Sequence, residues 1–416
     1  MSERVVVIGG GVIGLCLAHE ASRRGLAVTV VERKPARRDG CSFGNAGMIV
    51  PSHVVPLAAP GVVGQGLRWM WNPESPFRIR PRFSPELFAW GLKFWRSANR
   101  KHVERSGPLL RDLHLASRRT YEELVEQVGD FGLVTRGLLM LCTTNQAFDE
   151  EAHAAGEAQR LGLQADVLDP AAAAALDPGV TMSIVGAIHH RDDRHFDPSR
   201  FMALLQRRAE EAGVEFRFEH ELTGWLRTGR RIEGITTNRG EIRGDRFVVA
   251  GGSWSPVIAR QLGLKVPLQA GKGYSLTVAR PRQLPRLCSI LTEARVAVTP
   301  LGEALRFGGT MEIAGRDESI SPRRVRGIVK SIPKYFPEFR TDDFDGIEPW
   351  VGLRPVSPDG LPYLGAAPNW QNLIVATGHA MMGMSLAPIT GRLVGQMLTG
   401  ERPEIDLSLL RPERFG

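Results

Sequence analysis

The sequence lacks the patterns typical of a disulfide-stabilised, zinc-binding or membrane-spanning protein. Its four cysteines, Cys16, Cys41, Cys142 and Cys288, lie far apart and form no Cys-x-x-Cys pair. This spacing argues against a disulfide framework or a structural zinc site, and it fits a reducing compartment. No uninterrupted apolar run reaches the roughly 18 residues that a membrane-spanning helix needs, so we predict no transmembrane segment.

Signals for nucleic-acid binding are also scarce, although the chain carries a formal net charge of +8. Its arginines are spread along the sequence, and no long basic run alternates with aromatic residues. We therefore interpret the positive charge as that of a basic enzyme, whose field would attract an anionic substrate or an acidic membrane surface. A length of 416 residues makes two domains the default expectation.

The N-terminal segment does not have the composition of a secretory signal. Its apolar stretch contains three consecutive glycines at 9–11, which would break the helix of a signal peptide. No Ala-x-Ala site precedes the charged residues that follow. We expect a cytoplasmic protein.

A nucleotide-binding pattern opens the chain. Residues 4–8 are mostly β-branched without alternation, which predicts a buried strand. The glycine-rich segment 9–14 then matches G-x-G-x-x-G, and a helix is predicted to follow and to end near Gly25. A second strand over 27–31 leads to Glu32. Strand, glycines, helix, strand and acid thus occur in the order of a dinucleotide-binding unit.

Each residue type in this unit has a mechanical reason. Gly9 permits the tight strand-to-helix turn, Gly11 lets the backbone approach a pyrophosphate, and Gly14 lets helix and strand pack closely. The helix N-terminus offers N–H groups and a positive dipole to the phosphates. Glu32 is placed to bind ribose hydroxyls, which disfavours NADP but does not separate NAD from FAD.

Further along, the chain does not continue as repeated βα units. Residues 41–48 form a small, glycine-rich loop that can lie against a flat ring system, with Ser42 and Asn45 able to form hydrogen bonds to it. Two later strands end in glycines at Gly251 and Gly378. A strand that ends in glycine indicates that something passes close to the backbone, so both positions are candidate cofactor contacts.

Several separated motifs, together covering nearly the whole chain, resemble those of one family. They are VVVIGGGVIG with Glu32, SFGNAGMIVP at 42–51, APG at 59–61, GKGYSLT at 271–277, GLRPVSPDGLPYLG at 352–365 and NLIVATGH at 372–379. The chain resembles the D-amino-acid oxidase superfamily of FAD-dependent oxidoreductases, and within it the D-amino acid dehydrogenases.

The resemblance implies FAD as cofactor and an α/β fold, in which a Rossmann-like FAD-binding domain is joined to a mixed α+β substrate domain. We assign residues 1–60, 150–255 and 346–416 to the FAD-binding domain, and residues 61–149 and 256–345 to the substrate domain. The implied cofactor contacts are Gly9, Gly11, Val12, Ile13, Gly14, Glu32, Arg33, Ser42, Asn45, Gly47, Met48, Gly251, Gly378, Met381, Met382, Gly383, Met384 and Ser385. No metal is expected.

Three residues are candidates for the substrate side of the site. By resemblance, Arg354 of the GLRP motif clamps the substrate carboxylate, for which the planar guanidinium is well suited. Tyr274 could reach the substrate from a strand, or it could be an ordinary packed tyrosine. His53 could line the pocket, or it could be an ordinary loop histidine. Met381 stands where some glycine-oxidase-like relatives carry a second arginine, which suggests a more apolar pocket.

These features predict an FAD-dependent D-amino acid dehydrogenase. Hydride would pass from the substrate Cα to flavin N5, and the electrons would go on to a quinone or another acceptor. The apolar pocket suggests a cyclic substrate such as D-proline or cis-4-hydroxy-D-proline. Three alternatives stay open: a glycine- or sarcosine-type amine oxidase that uses oxygen, an NAD-dependent dehydrogenase, and a flavin-bearing RNA-modification protein.

Two other segments carry weaker signals. Residues 67–95 hold four of the eight tryptophans among basic residues, which fits either an apolar helix docked on the substrate domain or a segment lying on the inner membrane. Residues 189–195 contain the residue types of a metal site, but the adjacent arginines would oppose a cation.

Overall fold

The computed structural model describes residues 2–37, 39–70 and 74–415. Its strands are β1 (Arg4–Ile8), β2 (Ala27–Val31), β3 (Met48–Ile49), β4 (Phe77–Ile79), β5 (Leu138–Cys142), β6 (Ala165–Leu168), β7 (Gly186–His190), β8 (Arg194–His195), β9 (Glu215–Arg217), β10 (Leu222–Thr228), β11 (Arg231–Thr237), β12 (Gly240–Arg243), β13 (Arg246–Val249), β14 (Gln269–Val278), β15 (Cys288–Leu291), β16 (Val296–Leu301), β17 (Ala304–Ile313), β18 (Trp350–Val356), β19 (Tyr363–Ala366) and β20 (Leu373–Thr377). Its helices are α1 (Val12–Arg23), α2 (Val62–Trp69), α3 (Pro85–Ser97), α4 (Arg100–Val128), α5 (Asn145–Arg160), α6 (Pro170–Leu176), α7 (Pro198–Glu211), α8 (Ser255–Arg260), α9 (Pro322–Ser331) and α10 (Gly383–Leu398).

The first large sheet is the dinucleotide-binding unit that the sequence predicts. Its strand order is β19-β20-β13-β1-β2-β9, and β1 pairs in parallel with both β2 and β13. The apolar side chains of Val5 and Val7 are fully buried, because helices α1 and α10 cover this face of the sheet. A parallel sheet covered in this way needs the continuous β-branched run that residues 4–8 supply.

The second large sheet has nine strands. Along the order β18-β14-β17-β16-β15-β5-β7-β6 most pairs are antiparallel, β5 and β15 are parallel, and β4 adds to β17. Helix α9 and the aromatic side chains of Phe307, Phe336, Phe339 and Phe344 cover one face of this sheet. A parallel unit joined to a mixed sheet confirms the predicted α/β fold class.

Pairing within the sheets does not follow the predicted domain segments strand by strand. Strands β6, β7 and β18 lie in segments assigned to the FAD-binding domain, and they pair within the nine-stranded sheet. Helix α4, assigned to the substrate segments, packs on α10 through residues such as Leu110 and Leu113. The apolar pattern of a strand indicates its conformation, whereas its pairing partner depends on distant residues. The remaining domain boundaries stay a prediction.

The tryptophan-rich segment 67–95 folds into α2, β4 and α3, with residues 71–73 outside the described part. Trp90 of α3 is buried and donates a hydrogen bond from its indole Nε1 to the Val356 carbonyl at 3.0 Å, so one face of the helix docks on the protein. The opposite face is exposed, with Phe88 at 77% and Trp95 at 63%. Among the described residues, no helix is both long and apolar enough to cross a membrane.

Candidate cofactor and substrate site

The turn between β1 and α1 can only be built from glycine at two positions. Gly9 has φ +117°, and a Cβ there would lie 2.5 Å from the Ala250 carbonyl oxygen. A Cβ on Gly14 would lie 1.9 Å from the Gly9 oxygen, because helix and strand cross so closely. Beside Gly11 the space is open: within 4 Å of a Cβ placed there, the described chain offers only the Ser42 hydroxyl. This opening lies at the N-terminus of α1, where a phosphate would be favoured.

The carboxylate of Glu32 lies at the end of β2, where a ribose is expected. Its oxygens accept hydrogen bonds from the Gly10 N–H at 2.7 Å and from the Lys34 N–H at 2.9 Å, which hold it against the glycine turn. Next to it, the guanidinium of Arg33 stacks on the ring of Trp254 at 3.7 Å. The sequence reasoning missed Trp254, although the glycines just before it indicated a close approach at the end of β13.

One cavity joins most of the predicted cofactor residues. Those that line it are Gly9, Gly11, Val12, Ile13, Glu32, Arg33, Ser42, Asn45, Gly251, Gly378, Gly383 and Met384. The other predicted cofactor contacts do not line it: Gly14, Gly47, Met48, Met381, Met382 and Ser385. The cavity thus extends from the β1–α1 turn to the start of α10.

The glycine-rich loop at 41–48, which we call the cofactor loop after its predicted role, is held by its own side chains and by the second sheet. The Asn45 side-chain oxygen accepts a hydrogen bond from the Gly47 N–H at 2.8 Å, and Gly47 has φ +70° where it contacts the Phe196 carbonyl. Arg306 of β17 donates to the carbonyls of Phe43 and Asn45. Arg306 was missed by the sequence reasoning, because nothing in a strand pattern identifies a residue that reaches another domain.

Four predicted cofactor contacts near the start of α10 lie in different surroundings. Met381 is 49% exposed, Met382 packs into the core around α1, and Met384 lines the cavity. Ser385 is buried, and its hydroxyl accepts a hydrogen bond from the Val50 N–H at 3.0 Å. The structure therefore uses Ser385 to tie α10 to the segment that follows the cofactor loop.

Arg354 of β18 lies opposite Gly271 of β14 in the second sheet. Its guanidinium occupies the space that the missing side chain of Gly273 leaves, since a Cβ there would lie 2.2 Å from Nη1. Its one hydrogen bond among the described residues goes to the Thr310 carbonyl at 2.7 Å, and no carboxylate there pairs with it. Burial lowers its pKa, opposed only by the neighbouring Cys41 thiol. Arg354 can therefore take an anionic ligand.

The surroundings of Tyr274 differ from those of Arg354. It faces the aromatic core on the side of β14 away from Arg354, and its hydroxyl donates to a carboxylate oxygen of Glu312 at 3.2 Å. The same hydroxyl accepts from the Ser321 N–H at 3.3 Å. Burial, reinforced by Glu312, raises its pKa. The structure thus does not bring the predicted residues Tyr274 and Arg354 together.

His53 follows the cofactor loop and is not part of the cavity lining. Its Nδ1 lies 3.0 Å from the Ser52 hydroxyl, and burial lowers its pKa to about 4. The imidazole is therefore neutral at ordinary pH. As for the histidine-rich segment 189–195, no cluster of three or more potential metal-binding side chains was found in the described chain.

The residues present fit FAD. The open space beside Gly11 suits a pyrophosphate, the Glu32 carboxylate suits a ribose, and the glycine-rich loop with Met384 offers a surface for a flat ring. The cavity connects all three positions. Arg354 does not itself line the cavity, but its guanidinium is close enough to Cys41 of the lining for their charges to interact, and it has no carboxylate partner in the described chain. A small anionic substrate could bind to it there.

Comparison with known proteins agrees with this geometry. The family model described as FAD dependent oxidoreductase (DAO) matches residues 4–397. The D-amino acid dehydrogenase of Paramagnetospirillum magneticum is 35% identical over 99% of both chains. That of Granulibacter bethesdensis is 32% identical over 99% of this chain and all of its own. Glycine oxidase from Geobacillus kaustophilus has the same fold, with a TM-score of 0.80 at 23% identity over 99% of each chain.

Proposed function

The chain belongs to the DAO family of FAD-dependent oxidoreductases, and from this premise we propose that it is a D-amino acid dehydrogenase acting on a small, apolar D-amino acid. FAD is the cofactor of the family, so the NAD-dependent alternative has no support. The curated relatives that share about a third of its residues over their full length carry the name D-amino acid dehydrogenase. This likeness supports the proposed substrate class.

The observation that carries the proposal is the guanidinium of Arg354, which has no carboxylate partner in the part of the chain that the structure describes. Arg354 is partly buried, and a guanidinium that has lost part of its solvation without gaining a carboxylate partner is stabilised when a ligand supplies the anion. An α-amino acid supplies one in its carboxylate, which matches the planar fork of the side chain. Holding the carboxylate at Arg354 would fix the Cα of the substrate relative to the ring end of the cavity.

The surroundings of Arg354 support an apolar substrate side chain. Met311 and Val356 lie on the same side of the sheet, since a Cβ on Gly271 would lie 2.3 Å from the Met311 sulfur and 2.9 Å from Val356. Apolar side chains of this size favour a hydrocarbon ring over a charged side chain. We therefore propose D-proline or cis-4-hydroxy-D-proline as substrate.

In this arrangement the chain binds and orients, while FAD supplies the redox chemistry by accepting the hydride from the substrate Cα. Arg354 neutralises the carboxylate and holds it in one orientation. The imine product would then hydrolyse in solution, or persist if it is cyclic.

A test of this function is to follow the visible flavin band anaerobically during addition of cis-4-hydroxy-D-proline, D-proline, D-alanine or L-proline. We expect rapid bleaching by the cyclic D-amino acids and none by L-proline, because only one configuration at Cα directs its hydrogen to the flavin when the carboxylate and the side chain are both held in place. Faster bleaching by D-alanine would contradict the cyclic substrate. A flavin that no D-amino acid bleaches would contradict the proposed function.

We further propose that electrons leave to a quinone at a membrane surface, where the protein binds through the exposed face of α3. Phe88, Leu92 and Trp95 follow one another at helical spacing and are exposed, and we call them the α3 stripe. Arg68 and Arg96, in the last turns of α2 and α3, are basic residues suited to anionic lipid headgroups. Apolar side chains beside basic ones are typical of an interfacial helix.

Replacing Phe88 and Trp95 together by Asp should abolish this membrane binding. Each buried aromatic side chain contributes about 1.5–3 kcal/mol, so we expect at least about tenfold weaker co-sedimentation with anionic phospholipid vesicles. Turnover with a water-soluble dye should not change. The matched control is Val167→Asp, which alters an exposed apolar residue of β6. Equal vesicle binding by both variants would refute a role of the α3 stripe.

A further inference from the structure

A chain of hydrogen bonds links the buried carboxyl group of Asp193 to the imidazole of His53. Asp193 lies in the turn between β7 and β8 and is fully buried. Its two oxygens accept hydrogen bonds from the Ser52 N–H at 3.0 Å and from the Ser52 hydroxyl at 2.6 Å. The same hydroxyl lies 3.0 Å from Nδ1 of His53. Ser52 is thus placed between an acid and an imidazole.

The Ser52 hydroxyl has only one proton, which makes the direction of this chain depend on Asp193. When Asp193 is ionised it can only accept, so Ser52 donates to it and accepts from Nδ1–H of His53. When Asp193 is protonated it can donate to Ser52, and the hydroxyl then donates to Nδ1. A neutral imidazole carries one proton, so the two states place it on different ring nitrogens.

The change of tautomer decides whether Nε2 of His53, the ring nitrogen that does not contact Ser52, donates or accepts a hydrogen bond. Nε2 has no hydrogen-bond partner among the described residues, and the ring is only partly buried. With ionised Asp193, Nε2 carries a lone pair and accepts hydrogen bonds. With protonated Asp193, Nε2 carries the proton and repels another donor.

The hydrogen-bonded chain of Asp193, Ser52 and His53, which we call the relay, is attached to the elements that form the cofactor cavity. His53 follows β3, which continues directly from the glycine-rich loop, and Val50 between them donates to the Ser385 hydroxyl of α10. The Ser385 hydroxyl also lies 2.8 Å from Nδ1 of His114 in α4. His53 and His114 are close enough for their charges to interact. The segment that carries His53 is therefore tied to the glycine-rich loop and to the start of α10, although His53 itself does not line the cavity.

We propose that Asp193, acting through Ser52, fixes the tautomer of His53 so that Nε2 accepts a hydrogen bond from the substrate amine group. Asp193 and Ser52 are positioning residues, and His53 is the residue that touches the substrate. The proposal rests on the proposed function for the identity of the ligand, while the relay itself rests on the contacts above. His53 would then bind the amine group of the substrate, and Arg354 would bind its carboxylate.

The pKa of Asp193 lies in a pH range in which its ionisation can switch the tautomer of His53. Burial raises the pKa of its carboxyl to about 7, against the hydrogen bonds from Ser52 that lower it. The acceptor form of His53 is therefore present above about pH 7 and is lost below it. The charged and titratable groups around the relay are Asp192, Arg194 and His190 at the β7–β8 turn, Cys288 of β15, Arg295 before β16 and His114 of α4.

The direct test compares kcat/KM of the FAD-loaded wild type and Asp193→Asn across pH. Asparagine donates to Ser52 as protonated aspartate does, so His53 is held permanently in the donor form. We expect about a tenfold to hundredfold lower kcat/KM at about pH 9, and nearly equal values at about pH 5.5, from the loss of one hydrogen bond to a charged group. A ratio that is the same at every pH would show a merely structural role and overturn the proposal.

Companion variants separate the relay from its surroundings. Ser52→Ala should reproduce the Asp193→Asn profile, Ser52→Thr should keep the wild-type profile because it retains the hydroxyl, and the double variant Asp193→Asn/Ser52→Ala should add no further loss. The control Asp166→Asn changes a surface carboxylate paired with Arg191 and should behave as wild type. Additive losses in the double variant would overturn the relay.

A second measurement does not depend on turnover. In protein labelled with ¹⁵N-histidine, the NMR signals of His53, assigned with His53→Gln, report which ring nitrogen carries the proton. We expect a change of tautomer near pH 7 in the wild type and a fixed Nε2–H form in Asp193→Asn. If the change occurs but no amino acid is oxidised, the relay stands and the proposed function fails. If amino acids are oxidised without any change of tautomer, the relay is refuted.

Discussion

Arg354→Ala is expected to lower kcat/KM for the D-amino acid by about 10²- to 10³-fold while FAD stays bound. The substrate carboxylate would lose its charged partner inside a buried site, a loss of about 2–5 kcal/mol for a buried pair. Within residues 2–37, 39–70 and 74–415 the guanidinium makes a single hydrogen bond, to the Thr310 carbonyl, so its removal disturbs little else there. Steady-state kinetics, with the flavin spectrum as a check on the fold, measures the effect.

Arg354→Lys separates charge from geometry. Lysine retains the positive charge but not the planar two-donor fork, and we expect it to recover only part of the loss. Added guanidinium ion should restore some activity to Arg354→Ala and none to the wild type. A variant Arg354→Ala with wild-type kcat/KM would show that the carboxylate binds elsewhere, and would remove the main support for the proposed function.

Gly14→Ala is expected to yield a protein that is purified without its flavin. A Cβ at this position would lie 1.9 Å from the Gly9 oxygen, so α1 would have to move away from the turn that faces the pyrophosphate. Strain of this kind costs about 1–3 kcal/mol or more, which corresponds to a tenfold to hundredfold weaker affinity for FAD. The ratio of flavin to protein absorbance, followed by titration with FAD, measures it.

The matched control is Gly91→Ala in α3. Apart from the neighbouring backbone of its own helix, no atom of the described residues lies within 4 Å of a Cβ at Gly91, so alanine should stabilise this helix through its higher propensity. The two variants introduce the same methyl group into a helix, and only the close approach of the Gly9 carbonyl distinguishes them. Full flavin content in Gly14→Ala would mean that helix and strand do not pack as closely as the structure has them.

Local sequence signals were sufficient for the dinucleotide-binding unit. Strands β1 and β2 have the predicted bounds, and Glu32 lies at the end of β2 against Gly10. Each part of this unit is specified by residues that are close in sequence, since a buried strand needs a β-branched run and the turn needs glycine. The glycines at 251 and 378 likewise indicated places where the chain lines the cavity.

Local sequence signals could not predict how the strands of the second sheet pair or which face of the sheet each side chain occupies. Arg354 and Tyr274 lie on neighbouring strands, yet the register of β14 and β18 directs them to opposite faces. A shift of one residue in register would exchange the two faces, and such a shift leaves the sequence of each strand unchanged. For the same reason the sequence did not indicate that β6, β7 and β18 pair within the nine-stranded sheet.

By itself, therefore, the sequence determined the family, the cofactor and the dinucleotide-binding unit, because these depend on short motifs with local geometric requirements. The tertiary structure alone decided which distant side chains meet. It left Arg354 without a carboxylate partner among the described residues and placed Asp193 against Ser52, 141 positions earlier in the chain. Contacts of this kind arise from the packing of separate elements, whose free energy is distributed over many residues and is not encoded in any one segment.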